Sequence, residues 1–337
     1  MKYFNTTLTL IAFFIINSLI SAQWITVNPP PQTDTLNCVT LVSSTTGYAV
    51  GRNGTIIKTV DGGESWTLQN SGITTELNGI FFTDENNGIA VGEGGILKTN
   101  DGGNTWRSPD NPDGAAFLYS VAFGNNNTGL AVGSLGKLYK TTDGGENWVN
   151  IPVLVSTIND VEFLDENTAV VVCRSGLIYK STDAGDTWTS LTSGTTSTLL
   201  GVAFSDMNTG ITVGLGAMIG TSDGGDSWKN LSSTSFLDVD FLNNQTAIAV
   251  GFGGKVHRTT DAGASWETQT SGTELPLTSV SFFNENVGLA VGYDGVILRT
   301  TNGGVTGIAD NDDQNPTNFK LYQNYPNPFN PGTTIKF

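Results

Sequence analysis

The residues best placed for chemistry in this chain are aspartates beside paired glycines, as in "KTTDGGENWVN" at 140–150. Such a cluster can cradle a phosphate, hold a metal or close a tight turn. A phosphate loop needs Lys and then Ser or Thr after its last glycine, at the start of a helix. Here Glu146, Asn147 and Trp148 follow, and no helical apolar period continues. The cluster recurs instead: S/T-x-D/N-[GA]-G is found seven times, at Asp61, Asp101, Asp143, Asp183, Asp223, Asp261 and Asn302, with steps of 40, 42, 40, 40, 38 and 41 residues.

The copies calibrate one another. Five residues after each of the first six acids comes Trp66, Trp106, Trp148, Trp188, Trp228 or Trp266, and seven residues before each acid or amide stands Gly54, Gly94, Gly136, Gly176, Gly216, Gly254 or Gly295. The residue after the acid is Ala184 or Ala262 in two copies, whereas the next is glycine in all seven, so only the second glycine is expected to need positive φ. The acid then serves as a turn acceptor for backbone N–H groups just ahead. Asn302 fits that role, since an amide oxygen accepts hydrogen bonds but is a poor cation ligand. The Trp supplies an apolar anchor for the turn. No metal and no cofactor is assigned to the repeat.

Between these turns each copy reads as four short strands, shown in the second by Leu77–Phe82, Ile89–Gly92, Ile96–Thr99 and a last strand at Trp106. The fold class expected is all-β: a seven-bladed β-propeller with four-stranded blades over residues 23–307. The seventh copy has Gly307 where Trp belongs, while Trp24 lies 42 residues before Trp66. Residues 23–27 are therefore expected to supply the outer strand of the seventh blade, with Trp24 closing the ring.

Residues 1–22 carry Lys2 and then an almost wholly apolar run ending "LISAQW", the pattern of a secretory signal peptide cleaved after Ala22. The run is short for a membrane span, so no transmembrane segment is expected in the mature chain. Formal charge is −16, from 15 basic and 31 acidic residues. This argues against nucleic acid or an anionic membrane surface as partner. Cys38 and Cys173, in the first and fourth repeats, are too far apart in a ring to bond and read as buried small hydrophobes.

The S/T-x-D-x-G-x-S/T-W pattern is the Asp-box, or BNR repeat. With the phrase "GLAVGSLGKLYKTTDGG" at 129–145, it resembles the propellers named after photosystem II stability and assembly factors. The resemblance spans about Trp24 to Gly307 and implies the fold more than an activity; the basic patch tied to the photosystem role has no counterpart in five dispersed arginines. After a polar linker at 308–318, residues 319–337 read "FKLYQNYPNPFNPGTTIKF". They resemble the opening of the type IX secretion C-terminal sorting domain, a small β-sandwich of which this sequence holds only the start. The resemblance implies delivery by the type IX machinery and a protein that is secreted or held on the outer-membrane cell surface.

Sialidases also carry Asp-boxes and need an arginine triad. Of Arg52, Arg107, Arg174, Arg258 and Arg299, the last two occupy a recurring cationic slot three before the acid, shared with Lys58, Lys98, Lys140 and Lys180, which marks it as scaffold. His257 has no Cys or His at metal spacing, and "DNDD" at 310–313 lacks the glycine and closing glutamate of an EF-hand. Binding residues are expected where copies disagree, in the turn between the second and third strands. There stand Arg52, Asn53, Glu93, Ser134, Leu135, Arg174, Ser175, Leu215, Phe252, Tyr293 and Asp294, on one face with the links between blades, the longest of which adds Asp110 and Asp113. The leading expectation is an exported, non-catalytic module binding an extracellular protein or glycan. The alternative is a secreted glycoside hydrolase of sialidase or xyloglucanase type.

Overall fold

The computed structural model describes residues 23–30, 34–109, 117–152 and 155–305. The segments expected to be signal peptide, linker and sorting domain, with Asp110 and Asp113, lie outside them. Six four-stranded antiparallel sheets and one of three strands make up the described residues. The first strand of every sheet packs against the first strands of both neighbouring blades, the seventh against the first included, so these strands ring a central channel.

Burial explains the strand compositions. The second strands, such as Gly47–Gly51, Gly129–Gly133 and Gly288–Gly292, are buried at every position because blades stack on both of their faces. They read as unbroken apolar runs rather than alternating ones. Burying each Val, Leu or Ile there stabilises the ring by about 1.5–3 kcal/mol. Fourth strands face solvent and are short, down to the two residues Val149–Asn150. In blade two the fourth strand shrinks to a single bridge between Lys98 and Arg107. Pro109, with no N–H for a ladder, stops it there.

The ring closes as the position of Trp24 implies. Ile25–Val27 pairs antiparallel with Ile297–Thr300 as the outer strand of blade seven, Ile25 opposite Arg299. Trp24 is 4% exposed, meets Phe282 edge-on at 5.9 Å and donates from Nε1 to Gln269 Oε1 of blade six at 3.0 Å.

The first strands carry a further feature. In six of them the register with the second strand shifts after the first residue, at Leu36, Leu77, Leu118, Ile158, Leu199 and Leu277. This bulge turns the next two residues toward the channel together, where plain alternation would aim only one of them inward.

Candidate functional site

Each Asp-box is a closed hydrogen-bond knot. In blade five Thr221 Oγ1 donates to Asp223 Oδ1 at 2.7 Å and accepts from the Gly225 N–H at 2.9 Å, while Ser227 gives its N–H to Oδ1 and its hydroxyl to Oδ2. The Ser227 hydroxyl and N–H hold the Asp223 carboxyl down at about 2, and Ser265 does the same for Asp261. Asp61, Asp143 and Asp183 lose some solvation, which raises the carboxyl, yet the same hydroxyl, amide and N–H donors win and leave them also at about 2. Asn302 accepts from Thr300 through Oδ1 and donates to the Val305 carbonyl.

The glycine expectation needs correction. Both residues after the acid have positive φ, 57° at Ala184 and 54° at Ala262 as well as 91° at Gly185 and Gly263. The first lies in the left-handed well that alanine tolerates. The second lies beyond it and against a neighbour's side chain: a Cβ on Gly185 would sit 2.7 Å from Leu130 and one on Gly63 2.5 Å from Leu289.

The cationic slot is a latch between blades. Lys58 Nζ donates to the Gly102 carbonyl at 2.8 Å, and Lys98 Nζ to that of Gly144 at 2.6 Å. Lys140 and Lys180 pair with Asp186 and Asp226 at 2.7 Å, and Arg299 reaches the Gly62 carbonyl and Glu64, joining blade seven to blade one. In blade five the slot is Gly220, covered by Leu231; in blade six the Arg258 Nε is buried without a hydrogen-bond partner. Arg107 pairs with Glu146 on this same side of the ring. Arg52 and Arg174 stand on the opposite face, so the five arginines do not converge into a triad. His257 bonds Thr268 and lies edge-on to Phe236.

The predicted binding residues share that opposite face, spread over all seven blades. Arg52 lies 3.6 Å from Glu76, and Asn53 donates to Asp34 at 3.2 Å. Glu93 bridges to Phe117, the end of the long link. Arg174 is exposed with no ion pair among the described residues. Phe252 and Tyr293 are 43% and 40% exposed, and Asp294 sits at φ 54°. Leu135 occupies the same turn position as Asn53 and Asp294, at φ 56° and 82% exposed. Leu215 joins this apolar set.

At the hub lies a group that sequence reasoning missed. Asp160 and Glu162 of blade four and Asp238 and Asp240 of blade six line the channel. Asp160 accepts the Val202 N–H of blade five at 2.9 Å; Asp238 and Asp240 accept those of Val280 and Phe282 of blade seven at 2.9 and 2.6 Å. Ser279 and Ser281 serve Val39 and Leu41 in the same way. The first strand of each blade is an edge strand, and these side chains cap its open N–H groups. Burial pushes Asp160 up to about 7, with the Asp238 charge adding to it, Asp240 to about 7 and Asp238 to about 6; burial also drives Glu162 well above its ordinary range. Cys38 is half-buried beside them and packs against the core cluster of Tyr48, Leu77 and Ile80, and burial lifts its thiol to about 12; Cys173 is buried. The signal was present in "INDVEF", polar at two adjacent positions and then one further on, as a bulged edge strand requires, and in "LDVDF", which alternates without a bulge.

The family model described as photosynthesis system II assembly factor YCF48 matches residues 67–197 and 229–301. A structure of YCF48 bound to D1 peptide shares 23% identity, covering 84% of this chain and 99% of that one, with a TM-score of 0.70. YCF48 from Cyanidioschyzon merolae shares 20% over 82% and 98%, with a TM-score of 0.67. The GH74 xyloglucanase from Xanthomonas campestris is 14% identical over 83% of this chain and 53% of its own, with a TM-score of 0.69. At these identities the likeness to solved structures is one of fold. No curated protein matches the sequence. The repeat, its knots and the matched residues together show that this chain belongs to the photosynthesis system II assembly factor YCF48 family.

Proposed function

We propose that the chain is an exported, non-catalytic propeller that binds an extracellular protein through the face of turns between second and third strands. One observation carries this reading: Leu135, a bulky apolar residue, stands 82% exposed in a left-handed turn where other blades hold Asn53, Ser175, Gly253 or Asp294. Neither backbone preference nor burial favours leucine there, so its place is best explained by contact with something outside the chain. Leu215, Phe252 and Tyr293 add exposed apolar surface in the turns of blades five to seven, and Arg174 adds a donor fork with no ion pair among the described residues. That a YCF48 structure carries a D1 peptide supports protein as the ligand class.

Export in this proposal rests on residues 1–22 and on the sorting phrase at 319–337, which assign the protein to the type IX route and to the medium or the outer-membrane surface. The experiment is a screen of the mature protein against envelope fractions and glycans, with reducing-sugar release assayed on the same panel. Retained protein without released sugar supports the module. Sugar release would replace it with the glycoside hydrolase reading. Deletion from Phe319 onward should trap the protein in the periplasm of a type IX-competent host, and equal export would remove the sorting assignment.

A further inference from the structure

A cavity of about 140 Å³ lies in the channel, at the end of the first strands nearest the turn face. Asn37, Asn78 and Asn159, each the first of the two residues turned inward by the bulge, stand around it. Their orientation is fixed by the protein: Nδ2 donates to the carbonyl of Leu77, Leu118 and Leu199 in the next blade at 2.8, 2.8 and 2.6 Å. Only nitrogen can face a carbonyl, so Asn37 and Asn159 present their oxygens to the remaining space, while Asn78 Oδ1 accepts from Asn37 Nδ2 at 3.3 Å and keeps its second lone pair for that space. Asp160 and Asp238 line the same cavity, and no residue lining it is a cation.

The lining is therefore rich in acceptors and has no charge of opposite sign. One step deeper, Glu162 accepts the Phe204 N–H, while its Oε2 is shut off from solvent and has no hydrogen-bond partner. Buried acceptors left in this state are costly unless something donates to them. Among the described residues no three His, Cys, Asp or Glu side chains converge closely enough to hold a metal ion. The room, the spread of oxygens around a ring and the carboxyls below suit a compact ammonium with three donors better than a flat guanidinium fork.

Resting on the reading that the turn face docks a protein, we propose that this cavity receives a lysine side chain of the partner, its ammonium held by the Asn37, Asn78 and Asn159 oxygens above Asp160 and Asp238. The partner is then a protein with a lysine projecting from the patch that meets the apolar turns.

Titration of the mature chain with Nα-acetyl-lysine amide, followed by the Asn side-chain amide resonances, tests this directly. At about pH 8 the signals of Asn37, Asn78 and Asn159 should shift saturably, and acetylation of the probe's Nε should weaken binding by about tenfold or more. Lowering the pH to about 5.5 should weaken it several-fold, because Asp160 and Asp238 take up protons while the lysine stays charged. Glu162, Asp240 and Cys38 also face them, Tyr119 lines the same cavity, and Glu76 accepts from Asn37 Nδ2 at 2.9 Å. Asp160→Asn should cost about tenfold; should that variant not fold, the pH series on the unaltered chain decides. No saturation, or equal binding of the acetylated probe, overturns the proposal. So does a response to norleucine amide alone, which would mean a chain terminus, or to calcium alone. Arg174→Ala with Tyr293→Ala should leave this titration unchanged, so failure of the turn face and failure of the cavity are read separately.

Discussion

Aspartates do the same job at two places in this ring and meet opposite conditions. At the rim, Asp223 and Asp261 accept a hydroxyl and N–H groups in full contact with water and are held at about 2. In the channel, Asp160 and Asp240 also accept backbone N–H groups but have lost their water, and burial lifts them to about 7. The number of hydrogen bonds differs little; solvation differs greatly. A motif that specifies local geometry thus leaves the charge state of its acid to the surroundings.

Opening the ring without touching either set of acids should have the largest effect. Trp24→Ala removes a buried ring at the outer seam and should cost about 3–5 kcal/mol, read as a lower denaturation midpoint; an unchanged midpoint would mean the seam is not needed. The hub comes next. Asp238→Ala with Asp240→Ala leaves the N–H groups of Val280 and Phe282 without acceptors, at about 1–3 kcal/mol each. A negligible loss in chemical denaturation would show that water takes over the caps.

At the rim, Gly185→Ala places a Cβ against Leu130 at φ 91° and should cost about 1–3 kcal/mol. Gly144→Ala, at φ 71° in the position where Ala184 and Ala262 occur, should cost clearly less. Equal losses would erase the distinction between the two glycines.

The pH dependence separates the two sets without mutation. Channel acids have raised folded pKa values, so the folded state holds protons that the unfolded chain releases, and stability falls as pH rises from about 4 to about 7. Rim acids are depressed, so their contribution is present above about 4 and is lost as pH falls toward 2. The melting temperature measured at constant ionic strength should peak between these limbs, near pH 4–5. Asp238→Ala with Asp240→Ala should flatten the alkaline limb alone. Smallest of all, Arg174→Ala with Tyr293→Ala should stay within about 0.5 kcal/mol of the parent while abolishing partner capture; a collapse in stability would return these residues to the scaffold.

The rim was legible because it repeats. Seven copies of one knot expose its constant residues, the cationic slot announces itself by recurring, and the displaced Trp24 gives away the closure. The hub was opaque for the opposite reason. One and the same position holds Cys38, Gly79, Ser120, Asp160, Gly201, Asp238 and Ser279, of which Asp160, Asp238 and Ser279 cap an N–H of the next blade, a set that looks unconstrained until the fold shows that any small acceptor, or none, is tolerated there. The misreading of the first Asp-box glycine had a similar source. Alanine in two copies suggested an ordinary backbone, whereas Ala184 and Ala262 simply bear a left-handed conformation that their neighbours enforce. The shared face of the binding turns followed from topology; which of them present apolar surface emerged only from their exposure.

The pairing of Ile25–Val27 with Ile297–Thr300 also dictates an order of events. A chain delivered from its N-terminus brings out one partner of this ladder almost first and the other almost last. Until residue 300 has emerged, the strand at 25–27 has no mate, and six sheets can stack only into an open arc whose two ends expose the faces that blade seven will cover. Joining ends so distant in sequence carries a large loop-closure cost, which the stacked arc reduces by holding them near each other. Closure is then the committing step of folding, and an arc interrupted before it offers its bare end blades to a second arc.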